Sequence, residues 1–127
     1  MKYFFLLSTL LVVYACGTAQ SQYSTTNKKA IKLFEAGKEA PNKTIDPKTR
    51  MPNFREGIKL MNQALEKDPK FWEAHLFAGD FHIELNELQP ALEHFKKALE
   101  INPHHSPSGL THFYLGDLSN AVGDYEA

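Results

Sequence analysis

The sequence predicts an all-α fold: a solenoid of stacked helix–turn–helix hairpins, preceded by a signal peptide and a flexible tether. Two closely similar hexapeptides, ALEKDP at residues 64–69 and ALEINP at residues 98–103, lie 34 residues apart. A period of about 34 residues that closes on proline is typical of helical-hairpin repeats, whose stacked units share one continuous core. The 127 residues, 43% of them hydrophobic and 23% charged, suffice for one small domain of ordinary composition.

The chain opens with a short basic start and an uncharged, mostly apolar run at residues 3–15. As a helix this run is about 20 Å long at 1.5 Å per residue, whereas the core of a bilayer is about 30 Å thick. The run is therefore too short to span a membrane, and it predicts a secretory signal peptide that lies outside the fold.

A cysteine follows the apolar run directly. The residues Val13-Tyr14-Ala15-Cys16 resemble a bacterial lipobox, which predicts a lipoprotein-type signal peptide at residues 1–15 and a membrane-attaching lipid on Cys16. The alternative is a cut after Ala19, which gives a signal peptide at residues 1–19. Residues 16–27 are rich in Thr, Gln and Ser, a composition that predicts a flexible tether.

The clearest repeat occupies residues 70–105. Its apolar residues recur at three- and four-residue spacing, which predicts helices at residues 72–85 and 88–100 joined by a tight turn at Asn86-Glu87. Pro90 falls in the first turn of the second helix, where a missing N–H group costs nothing, and Pro103 ends that helix.

Two further repeats flank this one. Residues 28–69 predict helices at 28–40 and 54–66, separated by a proline-rich loop at 41–52 that lengthens the repeat by about eight residues. Residues 109–127 begin a third repeat without its second helix, which predicts that the natural protein continues beyond this sequence.

The second repeat resembles the tetratricopeptide repeat at five motif positions, which are Gly79, Ala91, Phe95, Ala98 and Pro103. His75 and His82 stand where that family commonly has Trp and Tyr. The resemblance implies a protein or peptide partner on the concave face, which the first helix of each repeat lines. The matching positions of the three repeats are Phe34, Lys38, Leu76, Asp80, Phe113 and Asp117.

A narrower resemblance concerns the whole sequence. The lipobox-like start, the insertion in the first repeat and residues 71–75 (FWEAH) look like the N-terminal region of OmpA-family envelope proteins of Bacteroidota, some of which serve type IX secretion. This resemblance implies an exported scaffold for protein–protein interaction, an outer membrane lipoprotein facing the periplasm, with a missing C-terminal domain that binds peptidoglycan. A soluble periplasmic protein is the alternative localisation. Alternative functions are a peptide-recognition module of a secretion or substrate-delivery system and the non-catalytic start of an envelope enzyme.

Other classes of function are disfavoured by the sequence. A net charge of −1 predicts no nucleic-acid partner, although residues 28–59 carry nine Lys/Arg against four Asp/Glu and residues 60–127 carry four against eleven. His75 and His82 are seven residues apart, whereas zinc ligands on one helix usually pair at four, so we expect no metal. No phosphate loop or nucleophile–base motif is recognisable, which predicts neither an enzyme nor a cofactor.

Overall fold

The computed structural model describes residues 22–44 and 46–104, together with residues 116, 120 and 123. The predicted signal peptide, Cys16 and nearly all of the predicted third repeat lie outside this part of the chain. Its elements are α1 (Lys28–Glu39), a short 3₁₀ helix (Ala40–Lys43), α2 (Pro47–Lys67), α3 (Trp72–Glu84) and α4 (Leu88–Ile101). Over these described residues there is no β-strand, and no helix is both long and apolar enough to cross a membrane.

The helices pack as two consecutive hairpins. Helix α1 packs against α2, α3 packs against α4, and α2 joins the two hairpins by packing against α3. The helices predicted at 28–40, 72–85 and 88–100 are confirmed to within one residue at each end. The all-helical hairpin architecture expected from the 34-residue period is therefore present in the described residues.

The predicted turn between α3 and α4 has a specific geometry. Asn86 has a φ of 58°, in the left-handed region that asparagine tolerates better than most residues. The Glu87 N–H donates to the His82 carbonyl at 2.8 Å and the Asn86 N–H donates to the Ile83 carbonyl at 2.8 Å. This pair of bonds is the Schellman arrangement, which satisfies carbonyl groups that the helix end would otherwise leave unpaired.

Helix α2 begins seven residues earlier than predicted, so the loop expected at 41–52 is wrong over its second half, residues 47–52. The Asp46 carboxylate accepts a hydrogen bond from the Lys48 N–H at 3.0 Å and caps the helix, and Pro47 occupies its first position. Pro52 lies inside α2, where only a single backbone N–H is lost. The insertion in this repeat therefore mainly lengthens α2.

The N-terminal segment, residues 22–27, is docked on the helices, so the predicted flexible tether is wrong for its described part. The Asn27 Oδ1 accepts from the backbone N–H groups of Lys29 and Ala30 at the start of α1, and the Asn27 Nδ2 donates to the Lys67 carbonyl at the end of α2. The Trp72 N–H at the start of α3 donates to the Ser24 Oγ at 3.1 Å. This segment therefore closes the ends of three helices.

The core lies between α1, α2 and α3 and is rich in aromatic rings. Tyr23 contacts Phe34 edge-on at a ring-centroid distance of 5.2 Å, Phe34 contacts Phe77 at 5.3 Å, and Phe54 contacts Phe81 at 5.3 Å. A smaller cluster of Ala91, Leu92 and Phe95 fills the space between α3 and α4. The larger cluster consists of Ala30, Phe34, Phe54, Ile58, Met61, Ala64, Phe71, Ala74, Ala78 and Phe81.

Gly57 marks the closest approach of three helices. A Cβ atom at this position would lie 3.0 Å from the Gly37 carbonyl oxygen of α1 and 2.7 Å from the Phe81 ring of α3. Cβ atoms essentially never come within 3.0 Å of another heavy atom, so α2 reaches both neighbours only because residue 57 has no side chain.

We expect the substitution Gly57→Ala to destabilise the protein. Alanine is favoured over glycine in a helix by about 1 kcal/mol, but the clash with Phe81 and Gly37 should outweigh this gain by roughly 1–3 kcal/mol. The free energy of unfolding from denaturant titration measures the difference. The matched control is Asn62→Ala on the exposed side of α2, which should change stability by no more than about 0.5 kcal/mol. A Gly57→Ala variant as stable as the natural sequence would contradict the packing.

Candidate binding surface

Four of the six predicted groove residues lie in the described part of the chain. Phe34 and Lys38 lie on α1, and Leu76 and Asp80 lie on α3. Phe113 and Asp117 lie outside the described residues. We call the surface formed by Phe34 and Lys38 of α1 and by Glu73, Leu76 and Asp80 of α3 the α1–α3 surface.

Phe34 is only 1% exposed, so the prediction of an exposed aromatic anchor at this position is wrong. Its ring packs against the ring of Tyr23 in the N-terminal segment and against Phe71 at a centroid distance of 4.9 Å. The Lys38 ammonium group lies 5.6 Å from the centre of the same ring and pairs with Glu35 at 3.1 Å. Phe34 is therefore a core residue covered by the chain's own N-terminal segment.

The α3 half of the surface is more open. Leu76 is half-buried, and it packs against the small cluster of α4 that includes Leu92 and Phe95. Asp80, one turn further along α3, is exposed. Desolvation by neighbouring protein atoms raises the pKa of Asp80 to about 6, and the Glu84 carboxylate four residues later adds to the shift. Because the Asp80 carboxyl group is exposed, solvent screens part of the repulsion between Asp80 and Glu84.

A cluster of three imidazole rings lies between α3 and α4. The His75 and His94 Nδ1 atoms are 3.1 Å apart, and the rings of His82 and His94 stack with centroids 5.5 Å apart. The His75 Nε2 lies 3.3 Å from the Pro69 carbonyl oxygen, which can only accept a hydrogen bond. A neutral His75 therefore accepts at Nδ1, and His94 donates to it from its own Nδ1.

Burial favours the neutral form of two of these rings, His75 and His94. Burial lowers the pKa of His94 to about 4, with a further contribution from the nearby His75 and His82. Burial is also the main cause that lowers the pKa of His75, although its contact with the Pro69 carbonyl opposes the shift. The sequence placed His75 and His82 where the tetratricopeptide repeat commonly has Trp and Tyr, and it gave no signal that His94 on the facing helix completes the cluster.

Nothing in the described residues assembles a metal site. Across residues 22–44 and 46–104, no three or more His, Cys, Asp or Glu side chains are arranged to hold a metal ion. The two closest imidazole nitrogens, those of His75 and His94, are engaged with one another in a hydrogen bond.

The basic and acidic parts of the chain meet at one end of the hairpins. The Arg55 guanidinium of α2 lies 2.8 Å from the Glu87 carboxylate in the α3–α4 turn, and Arg50 lies 3.8 Å from Glu84. A hydrogen bond from His82 and contacts with Arg55 lower the pKa of Glu87. Both arginine side chains are at least 60% exposed, so these pairs orient the helices more than they stabilise them.

Comparisons with known proteins agree with the helical-hairpin fold of the described residues. Residues 52–108 match the family model described as tetratricopeptide repeat, a range that contains α3, α4 and most of α2. A curated relative from Borreliella burgdorferi, named TPR repeat-containing protein, is 27% identical over 119 residues, or 94% of this chain. The chain spans about half of that relative's length, namely 49%. These matches and the stacked hairpins support a tetratricopeptide-type helical fold.

The imidazole cluster predicts a pH-dependent stability. His94 has a lower pKa in the folded state, about 4, than in the unfolded chain, where it is about 6.5. The unfolded chain therefore binds more protons in this window, so the stability contributed by His94 is complete above pH 6.5 and is lost as the pH falls toward 4. Between pH 7 and pH 5 the loss expected from His94 alone is on the order of 2 kcal/mol. The raised pKa of Asp80 acts in the opposite direction above pH 4.

Denaturant titrations at pH 7 and pH 5 measure this effect. His94→Phe retains an aromatic ring but removes the titrating group, so the stability of this variant should depend less steeply on pH. The matched control is His104→Phe, at an exposed position, which should retain the pH dependence of the natural sequence. Equal pH dependence in the natural protein and in His94→Phe would contradict a lowered pKa of His94 in the folded state.

Proposed function

We propose that this chain is an exported tetratricopeptide-repeat scaffold that docks another protein in the bacterial cell envelope. The observation that carries the proposal is the match of residues 52–108 to the repeat family, combined with helices stacked as open hairpins. Stacked repeats of this kind present extended surfaces rather than an enclosed cleft. A binding function therefore suits the chain better than a catalytic one.

The open α3 half of the α1–α3 surface supports a specific partner chemistry. Leu76 offers a partly exposed apolar contact, and Asp80 and Glu84 place two carboxylates beside it. A Lys or Arg side chain would pair with Asp80 and stabilise its charged form, which desolvation and the Glu84 carboxylate disfavour. We therefore propose a peptide segment with an apolar anchor and a basic group, which would bind more tightly at pH 7 than at pH 5. Phe113 and Asp117 would extend this surface in the third repeat.

The proposed setting is the outer membrane, on its periplasmic face. The apolar run at residues 3–15 and the cysteine that follows support export and attachment through a lipid on Cys16. A further C-terminal domain in the natural protein is part of the proposal. A peptidoglycan-binding domain of the OmpA type is the one that the resemblance of the sequence implies.

Metabolic labelling with a fatty-acid analogue tests the membrane attachment. The natural sequence expressed in a bacterial host should incorporate the label, and Cys16→Ala should not. Equal labelling of both proteins, or a mature N-terminus at Gln20, would contradict lipidation and favour cleavage after Ala19.

Selection of peptides from a random library tests the docking chemistry. Peptides enriched on the purified protein should combine an apolar side chain with Lys or Arg. Reversing the charge with Asp80→Lys should weaken their binding about tenfold, and added salt should reduce this difference. The matched control is Glu93→Lys, which reverses an exposed charge on α4 and should leave the affinity unchanged. Peptides without basic residues, or affinity that Asp80→Lys leaves intact, would contradict the proposed surface.

A further inference from the structure

The N-terminal segment, which bends at residues 22–24, lies against α1 and α3. Residues 22–27 form no helix or strand, and they contact α1 and α3 through side chains rather than through a backbone ladder. Two of the residues that the segment contacts, Phe34 and Glu73, belong to the α1–α3 surface. The proposed partner surface is therefore occupied over its α1 half by residues of the same chain.

An aromatic ring is the first anchor of this segment. The Tyr23 ring contacts Phe34 at a centroid distance of 5.2 Å and Phe71 at 6.0 Å, both edge-on. Its hydroxyl group donates a hydrogen bond to the Glu35 carboxylate of α1. The helices thus provide an apolar contact for the ring and a carboxylate for its polar end, the combination that a buried tyrosine requires.

Two hydroxyl residues form the second anchor. The Ser24 N–H donates to the Glu73 Oε1 at 2.8 Å, and the Ser24 hydroxyl donates to the Glu73 Oε2. Thr25 is 2% exposed, and its hydroxyl donates to the Asp68 carboxylate in the α2–α3 turn. Hydrogen bonds to charged acceptors are stronger than those between neutral groups, so these two carboxylates select hydroxyl side chains at adjacent positions.

The caps of α1 and α3 come from two residues of the segment. Asn27 caps α1 and bonds to the end of α2, and the Ser24 hydroxyl accepts from the first N–H of α3. Substitutions that retain Ser24 and Asn27 should therefore leave these caps in place while they remove the ring that covers Phe34.

We infer that the α1 half of the α1–α3 surface is a peptide site held closed in cis by residues 22–26. Its ligand class is a short peptide in which an aromatic residue precedes two hydroxyl residues, and a partner segment of this chemistry would displace the chain's own. The inference rests on the proposed scaffold function. It adds a second region, besides that of Asp80, at which a partner would be recognised. Covalent attachment gives the cis segment an effective concentration in the millimolar range, which a partner must overcome.

The test uses the full chain with the substitutions Tyr23→Ala and Thr25→Ala, which retain the caps made by Ser24 and Asn27. The probe is an acetylated and amidated peptide with the sequence of residues 22–26, titrated while backbone amide shifts are followed by NMR. The substituted protein should bind the peptide saturably, with shifts at Glu73 and Phe34. The natural chain should bind it about tenfold more weakly or worse, because its own segment competes.

Two controls make the result decisive. A peptide with Ala in place of the tyrosine should not bind the substituted protein. If the double variant loses helicity by circular dichroism, the single variant Tyr23→Ala replaces it, and the same shifts should appear at higher peptide concentration. A helical variant without saturable binding, or equal affinity in the natural and substituted chains, would overturn the inference. Continued binding of basic peptides through Asp80 in that variant would show that the scaffold function still holds.

Discussion

The described structure depends on how three helix ends are closed at one corner, where residues 22–27 meet the α2–α3 turn. An isolated helix leaves N–H groups unpaired at its start and carbonyl groups unpaired at its end. Asn27 serves two helices at once, because its Oδ1 accepts from the start of α1 and its Nδ2 donates to the Lys67 carbonyl. Ser24 accepts from the first N–H of α3. These bonds fix α1 relative to α3 although the two helices are separated by all of α2.

The same closure decides which surface remains available to a partner. It places Tyr23 over Phe34, so the α1 half of the α1–α3 surface is covered while Asp80 on α3 stays exposed. Elsewhere in α2, the absence of a side chain at Gly57 allows this helix to approach both α1 and α3 closely. The position of residues 22–27 therefore affects core packing at Phe34, the capping of the helices and the access of a ligand.

The sequence predicted the features that depend on local or periodic signals. The 34-residue period predicted the hairpins. Asn86 indicated the turn between α3 and α4, and Pro90 indicated the start of α4. Clustered prolines indicated a loop where the Asp46-Pro47 cap instead starts α2 early. Phe34 occupied a groove position by register, but a segment with no secondary structure covers it. Such contacts between distant residues have no periodic signature, so the sequence alone could not predict them.

The nuclear Overhauser effect between the Tyr23 and Phe34 rings in the full chain tests most directly whether the N-terminal segment covers Phe34. The two ring centroids are 5.2 Å apart, so strong cross-peaks between their ring protons are expected, together with an amide of Ser24 protected from solvent exchange by its bond to Glu73. Random-coil shifts for residues 22–26 without such cross-peaks would contradict the account, because Phe34 would then be uncovered and the α1–α3 surface open over its whole length.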